Sequence, residues 1–143
     1  MNKSWIIAII SLTFLFGNDL EDAIEYAKTE FKFASKSKDG STLKDQLNSV
    51  WRQTGKKPKE LDNLPELPDI FSEVWYWFLK LNNKRTSNGF GVNPIQYSEI
   101  KAYFDLIQYH PQEWEIEMIE KFDSIALKEY ELQAEKNKPK SKK

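Results

Sequence analysis

Apolar residues recur at helical spacing in five stretches of the chain and alternate with period two in none, so the pattern predicts an all-α protein. In the first stretch Leu20, Ala23, Ile24, Ala27 and Phe31 share a face, preceded by Asn18 and Glu21 at the spacing of a capping box. That helix fades near Ser35, and the polar link "SKSKDGS" follows. Ser41 or Thr42 is placed to cap a second helix carrying Leu43, Leu47, Val50 and Trp51, with Gly55 as a left-handed stop. Pro58, Pro65 and Pro68 then predict an extended connection with no regular element. Asp69 is placed to cap "IFSEVWYWFLKLNN", and Ser98 to cap "EIKAYFDLI", in which Ile100, Phe104 and Ile107 face inward. Pro111 suits the first turn of the last helix, whose stripe is Met118, Ile119, Phe122, Ile125, Ala126 and Tyr130.

These elements predict a small irregular bundle of four to five helices, with the segments around Val50, Trp77, Phe104 and Phe122 forming the core. The expected organisation is an apolar N-terminal segment with an ill-defined helix (residues 1–17), an amphipathic helix and polar linker (18–40), a helical domain (41–131) and a disordered basic tail (132–143). At 143 residues the chain has room for one modest core.

Composition narrows the chemistry. Lys and Arg number 21 against 22 Asp and Glu, so no global field selects nucleic acid. Cysteine is absent, which excludes disulfides, thiolate metal sites, a cysteine nucleophile and a lipoprotein anchor, and fits a reducing compartment. Lys3 followed by the apolar run Trp5 to Phe16 has the shape of a signal-peptide core. It is shorter than the roughly 20 apolar residues a membrane span needs. An exported or membrane-associated small helical protein is therefore the alternative reading, with membrane contact confined to this run.

No constellation of catalytic, cofactor-binding or metal-binding residues emerges. Gly89, Phe90 and Gly91 begin like a dinucleotide fingerprint, but Pro94 stands where the third glycine belongs and no strand precedes. A structural turn explains "SNGFGVNP" better, with both glycines free to take positive φ. Glu113, Glu117 and Glu120 share a helix face without a histidine beside them, and Glu117 with Lys121 reads as a surface ion pair. His110, the only histidine, sits before Pro111 as a helix terminus.

The run Trp75, Tyr76, Trp77, Phe78 is more informative. Successive helical residues are about 100° apart, so four consecutive aromatics sweep most of the circumference and at least one points away from a single core. Either neighbouring helices wrap this helix on both sides, or the outward rings form a docking patch for a protein. Trp75, Tyr76, Trp77 and Phe90 are the candidate contacts, with Arg85 as a polar anchor. Basic residues beside aromatics, such as Lys84 and Arg85, also permit single-strand nucleic-acid binding, a minor option given the balanced charge.

The order "LKDQLNSVWRQTGKKPKEL", "ELP", "VWYWFLKL", "RTSNGFGVNPIQYSEIKAY", "WEIEMIEKFDSIAL" resembles the tail assembly chaperones of long-tailed bacteriophages and prophages, from about Leu43 to Leu127. "VWRQTGKKP" and "SNGFGVNPIQYSEI" carry most of the likeness, Trp114 and Asp123 some of it, and Met1 to Phe16 fall outside it. The resemblance implies a noncatalytic cytoplasmic protein of the infected or lysogenic host, without cofactor or small-molecule substrate and without specific nucleic-acid binding. It implies partners in the tape measure protein and the major tail tube protein, and absence from the finished virion. Many such proteins are made by a programmed frameshift, as in the lambda-like type.

Overall fold

The computed structural model describes residues 12–138. Residues 12–16 are helical, and Gly17, at a φ of 51°, turns the chain into α1 (Asn18–Phe33), so Asn18 opens the helix without capping it. Then come α2 (Leu43–Thr54), two short 3-10 turns (Lys59–Leu61 and Asp69–Phe71), α3 (Ser72–Asn82), α4 (Tyr97–Leu106) and α5 (Glu113–Asn137). The fold is all-α, with no strand among the described residues; isolated bridges join Lys36 to Thr42 and Ser87 to Val92.

Local chemistry accounts for the helix ends. Thr42 Oγ1 accepts the Asp45 N–H (3.1 Å) and the Asp45 carboxylate accepts the Thr42 N–H (3.1 Å), satisfying two orphan donors at the start of α2. The Thr42 hydroxyl, which donates to Asp45 Oδ2 (2.6 Å), and after it the Thr42 N–H hold the Asp45 carboxyl below its usual range. Gly55 at φ 68° ends α2, its N–H reaching Trp51 O (2.9 Å). At α4 and α5 a carboxylate two positions into the helix reaches back: Glu99 accepts from Gln96 N–H (2.7 Å) and Glu115 from Gln112 N–H (2.6 Å). Ser98 thus lies inside α4, and Asp69 starts a 3-10 turn in place of capping α3.

The last helix, α5, is the shared partner, with α1 and α3 both lying along it. Ala23, Ala27 and Phe31 of α1, Val74, Trp75 and Phe78 of α3, and Met118, Ile119, Phe122 and Ala126 of α5 are buried in one cluster. The two alanines stand one turn apart and let α1 approach closely. On the other side of α3, Trp77 meets Phe104 of α4 edge-on (ring centroids 5.0 Å) and packs beside Tyr109 (4.8 Å). Leu12 is also buried, and Phe16 packs against Phe71 and Trp114 (5.0 and 4.9 Å).

Three expectations are corrected here. Trp77, Phe104 and Phe122 are buried core residues, but Val50 is 48% exposed because no residue of α2 is buried at all. Ile107 is exposed because α4 ends at Leu106 and Gln108, at a φ of 55°, diverts the chain. Helix α5 runs on to Asn137, past the point after Glu131 where a disordered tail was expected. Residues 139–143 of that tail and residues 1–11 of the apolar N-terminal segment lie outside the described residues.

Candidate functional site

Four consecutive aromatics on α3 are sorted by their neighbours. Trp75 (8% exposed) is surrounded by Tyr26, Phe31, Phe78 and Phe122 at ring distances of 4.9–5.7 Å, since α1 and α5 close over it. Trp77 is sealed by Phe104 and Tyr109 on the opposite side. Tyr76 alone of the four looks outward, 53% exposed, with the Lys80 ammonium 5.1 Å from its ring centre. The helix is therefore wrapped on both sides, and as surface contacts Trp75 and Trp77 are withdrawn: their rings are already used within the molecule.

Arg85 is withdrawn for a different reason. Its guanidinium donates to Asn82 Oδ1 through Nε (3.1 Å) and Nη2 (2.8 Å), to Asn93 O through Nη1 (2.8 Å), and to Asp123 Oδ1 through Nη2. It also lies 5.7 Å from the centre of the Tyr130 ring. The other Asp123 oxygen accepts the Ile95 N–H (3.0 Å). The side chains of Arg85 and Asp123 are 5% and 9% exposed, so this is a buried ion pair in which every guanidinium nitrogen and both carboxylate oxygens have a partner. Such pairs hold geometry more than they add stability. Here the pair ties both ends of the loop between α3 and α4 onto α5. Sequence reasoning read Asp123 as part of a motif only; an acid inside the apolar stripe of α5, next to Phe122, was the available signal of a buried partner.

The loop so held presents Phe90. Asn88 Oδ1 accepts the N–H groups of Phe90 and Gly91 (3.0 Å each), Asn93 N donates to Thr86 O (3.0 Å), and Ser87 Oγ donates to Gly91 O (2.8 Å). Gly89 has a φ of 85°, the left-handed region that a side chain would strain; Gly91 does not share it. The result is a stiff turn with the Phe90 ring fully exposed at its tip. Beside it an open groove is lined by Val92, Leu127, Tyr130 and Ala134.

Sequence reasoning missed the exposure of the apolar residues at the end of α2. Leu43, Leu47, Val50 and Trp51 fall on one side of α2, but the helix meets the body chiefly through the turn from α1, where Leu43 N–H donates to Ser35 O (3.0 Å). Val50 (48% exposed) and Trp51 (42%) stand about half in solvent, while Leu43 and Leu47 are half-buried. Lys57 bends back over the Trp51 ring (5.6 Å) and pairs with Asp62 (3.1 Å). The signal was present in the one-sided pattern, which identifies an apolar face without saying what covers it.

Glu117 is half-buried with Oε2 enclosed and unpartnered, and burial, with the charges of Glu113 and Glu120 added, raises its carboxyl above the usual range. The expected Glu117–Lys121 pair is missing from the ion pairs among the described residues, which are Lys28–Glu25, Lys57–Asp62, Arg85–Asp123 and Lys101–Asp105. Among those residues no group of three His, Asp or Glu is placed to hold a metal ion, and His110 is exposed. No helix among them is long and apolar enough to cross a membrane.

Comparison with known proteins returns one family. A family model described as phage tail assembly chaperone matches residues 50–128, more than half of the chain. The match includes Val50 and Trp51, the whole of α3 and α4, and both partners of the Arg85–Asp123 pair. No curated protein and no solved structure matches the chain.

Proposed function

The chain belongs to the phage tail assembly chaperone family, and from that premise we propose that it is a noncatalytic chaperone that binds the tape measure protein and recruits tail tube subunits. It acts in the cytoplasm of the infected or lysogenic host and is left out of the finished virion. The observation that carries this reading is the coincidence of family membership with apolar side chains held in solvent: Val50 and Trp51 on a helix with no buried residue, Tyr76 on α3, and Phe90 on a stiffened loop. A chaperone for a long helical client needs apolar surface that can be covered and released, and docking of an amphipathic helix on such surface is a recurrent mode of recognition.

The direct test is co-expression with the tape measure protein of the same phage. The chaperone should shift that protein from the insoluble to the soluble fraction and co-purify with it. An unchanged soluble fraction in a strain making both proteins rules the proposal out.

A further inference from the structure

We infer that the Phe90 turn and the groove beside it are a self-association surface, where a second copy of this chain docks by placing its Phe90 ring in the groove. The inference does not rest on the chaperone reading. Phe90 is fully exposed, so its ring leaves the groove at its side unfilled. The Asn88 side chain and the Arg85–Asp123 pair already hold the turn, so little ordering remains to oppose docking. The groove runs between this turn and α5, where Leu127, Tyr130, Glu131 and Ala134 recur on one face at i, i+3, i+4 and i+7. Val92, Leu127 and Tyr130 are half-buried and make its walls apolar; Ala134 is exposed and small enough to leave the groove open. At about 570 Å³ it lies within the roughly 300–1,000 Å³ of pockets that take small molecules, so one aromatic ring fits.

Two observations select a second copy as the occupant. A ring and a ring-sized groove stand side by side on one patch, and a two-fold axis between them carries each ring into the other copy's groove, the reciprocal contact of an isologous dimer. A foreign partner would have to supply both a pocket for Phe90 and an apolar group for the groove at that spacing; an identical chain brings both. The second observation is charge. Glu131 is the only charged residue among the ten that line the groove, in a chain that is 30% charged, so two copies meet there with little like-charge repulsion and the patch has the charge-poor composition of an interface centre. The area is small: one ring of about 150–250 Å² from each copy, with the walls it covers, falls short of the roughly 1,200 Å² of a stable complex. The dimer is therefore weak and exchanging, with a dissociation constant on the order of 100 μM.

The test is sedimentation velocity of the full chain from low micromolar to millimolar concentration. Sedimentation should rise to that of a dimer and stop there, and isotope-filtered NMR on mixed labelled and unlabelled chain should place the Phe90 ring against the Leu127 and Ala134 methyl groups of the other copy. Phe90→Ser should weaken association by about tenfold or more, the scale of a lost hot spot. Ala134→Glu, which puts a charge in the groove, should do the same. Both positions are exposed, so thermal unfolding should be unchanged and the loss reads the contact itself. A chain that stays monomeric at roughly ten times the expected constant overturns the inference, as does assembly that continues past two copies or a dimer that survives either substitution. A wild-type chain monomeric throughout, whose capture of the tape measure protein is lost with Phe90→Ser, assigns the ring to a foreign partner and likewise overturns it.

Discussion

Helices α2 and α3 exchange the parts their sequences suggest. The aromatic run of α3 has the composition of a sticky surface, yet Trp75, Trp77 and Phe78 are buried and only Tyr76 emerges. The moderate stripe of α2 has the composition of an ordinary core face, yet Leu43 and Leu47 are only half-buried and Val50 and Trp51 are exposed. The difference lies in neighbours. α3 is flanked by α5 on one side and α4 on the other, whereas α2 leaves α1 through a tight turn and exits into a proline-punctuated segment. Apolar content measures what a helix can contribute; topology decides whether the protein itself collects it.

The contrast can be broken in order of size. Trp77→Ala should cost about 3–5 kcal/mol, the range for emptying a large buried ring site, and urea titration should find the unfolding midpoint sharply lowered. A loss under 1 kcal/mol would mean that α3 is not the wrapped helix described. Asp123→Ala should cost about 3 kcal/mol by leaving Arg85 buried and unpaired. Replacing the pair together, Arg85→Met with Asp123→Leu, should restore much of that stability, and it should loosen the turn that carries Phe90, read as faster amide exchange across residues 86–93. Smallest of all, Trp51→Gln should stay within about 0.5 kcal/mol of wild type in the same urea titration, as exposed substitutions do. A larger loss would show α2 packed on the body after all.

What the chain discloses by inspection follows from the range of the forces involved. Thr42 with Asp45, and Gly55, act over a few residues, and both ends of α2 are readable from them. The stripe of α5 is equally local, and Met118, Ile119, Phe122 and Ala126 are buried as its period requires. The exposure of Val50, the outward turn of Ile107 and the burial of Arg85 are not local. Each depends on which distant segment arrives beside it, and Arg85 and Asp123 are separated by the whole of α4. The candidate contacts divide the same way. Phe90 follows from its own turn residues, whereas the burial of Trp75 and Trp77 depends on covering from α1, α4, α5 and the segment after α4.

The position of α5 in the chain has a consequence during synthesis. It is the common wall against which α1 and α3 close, and the carboxylate of Asp123 neutralises a guanidinium made much earlier. A chain still short of this helix leaves the Trp75 ring without Phe122 and the Arg85 guanidinium without its counter-charge, so α1 and α3 have no wall to close against until it is made.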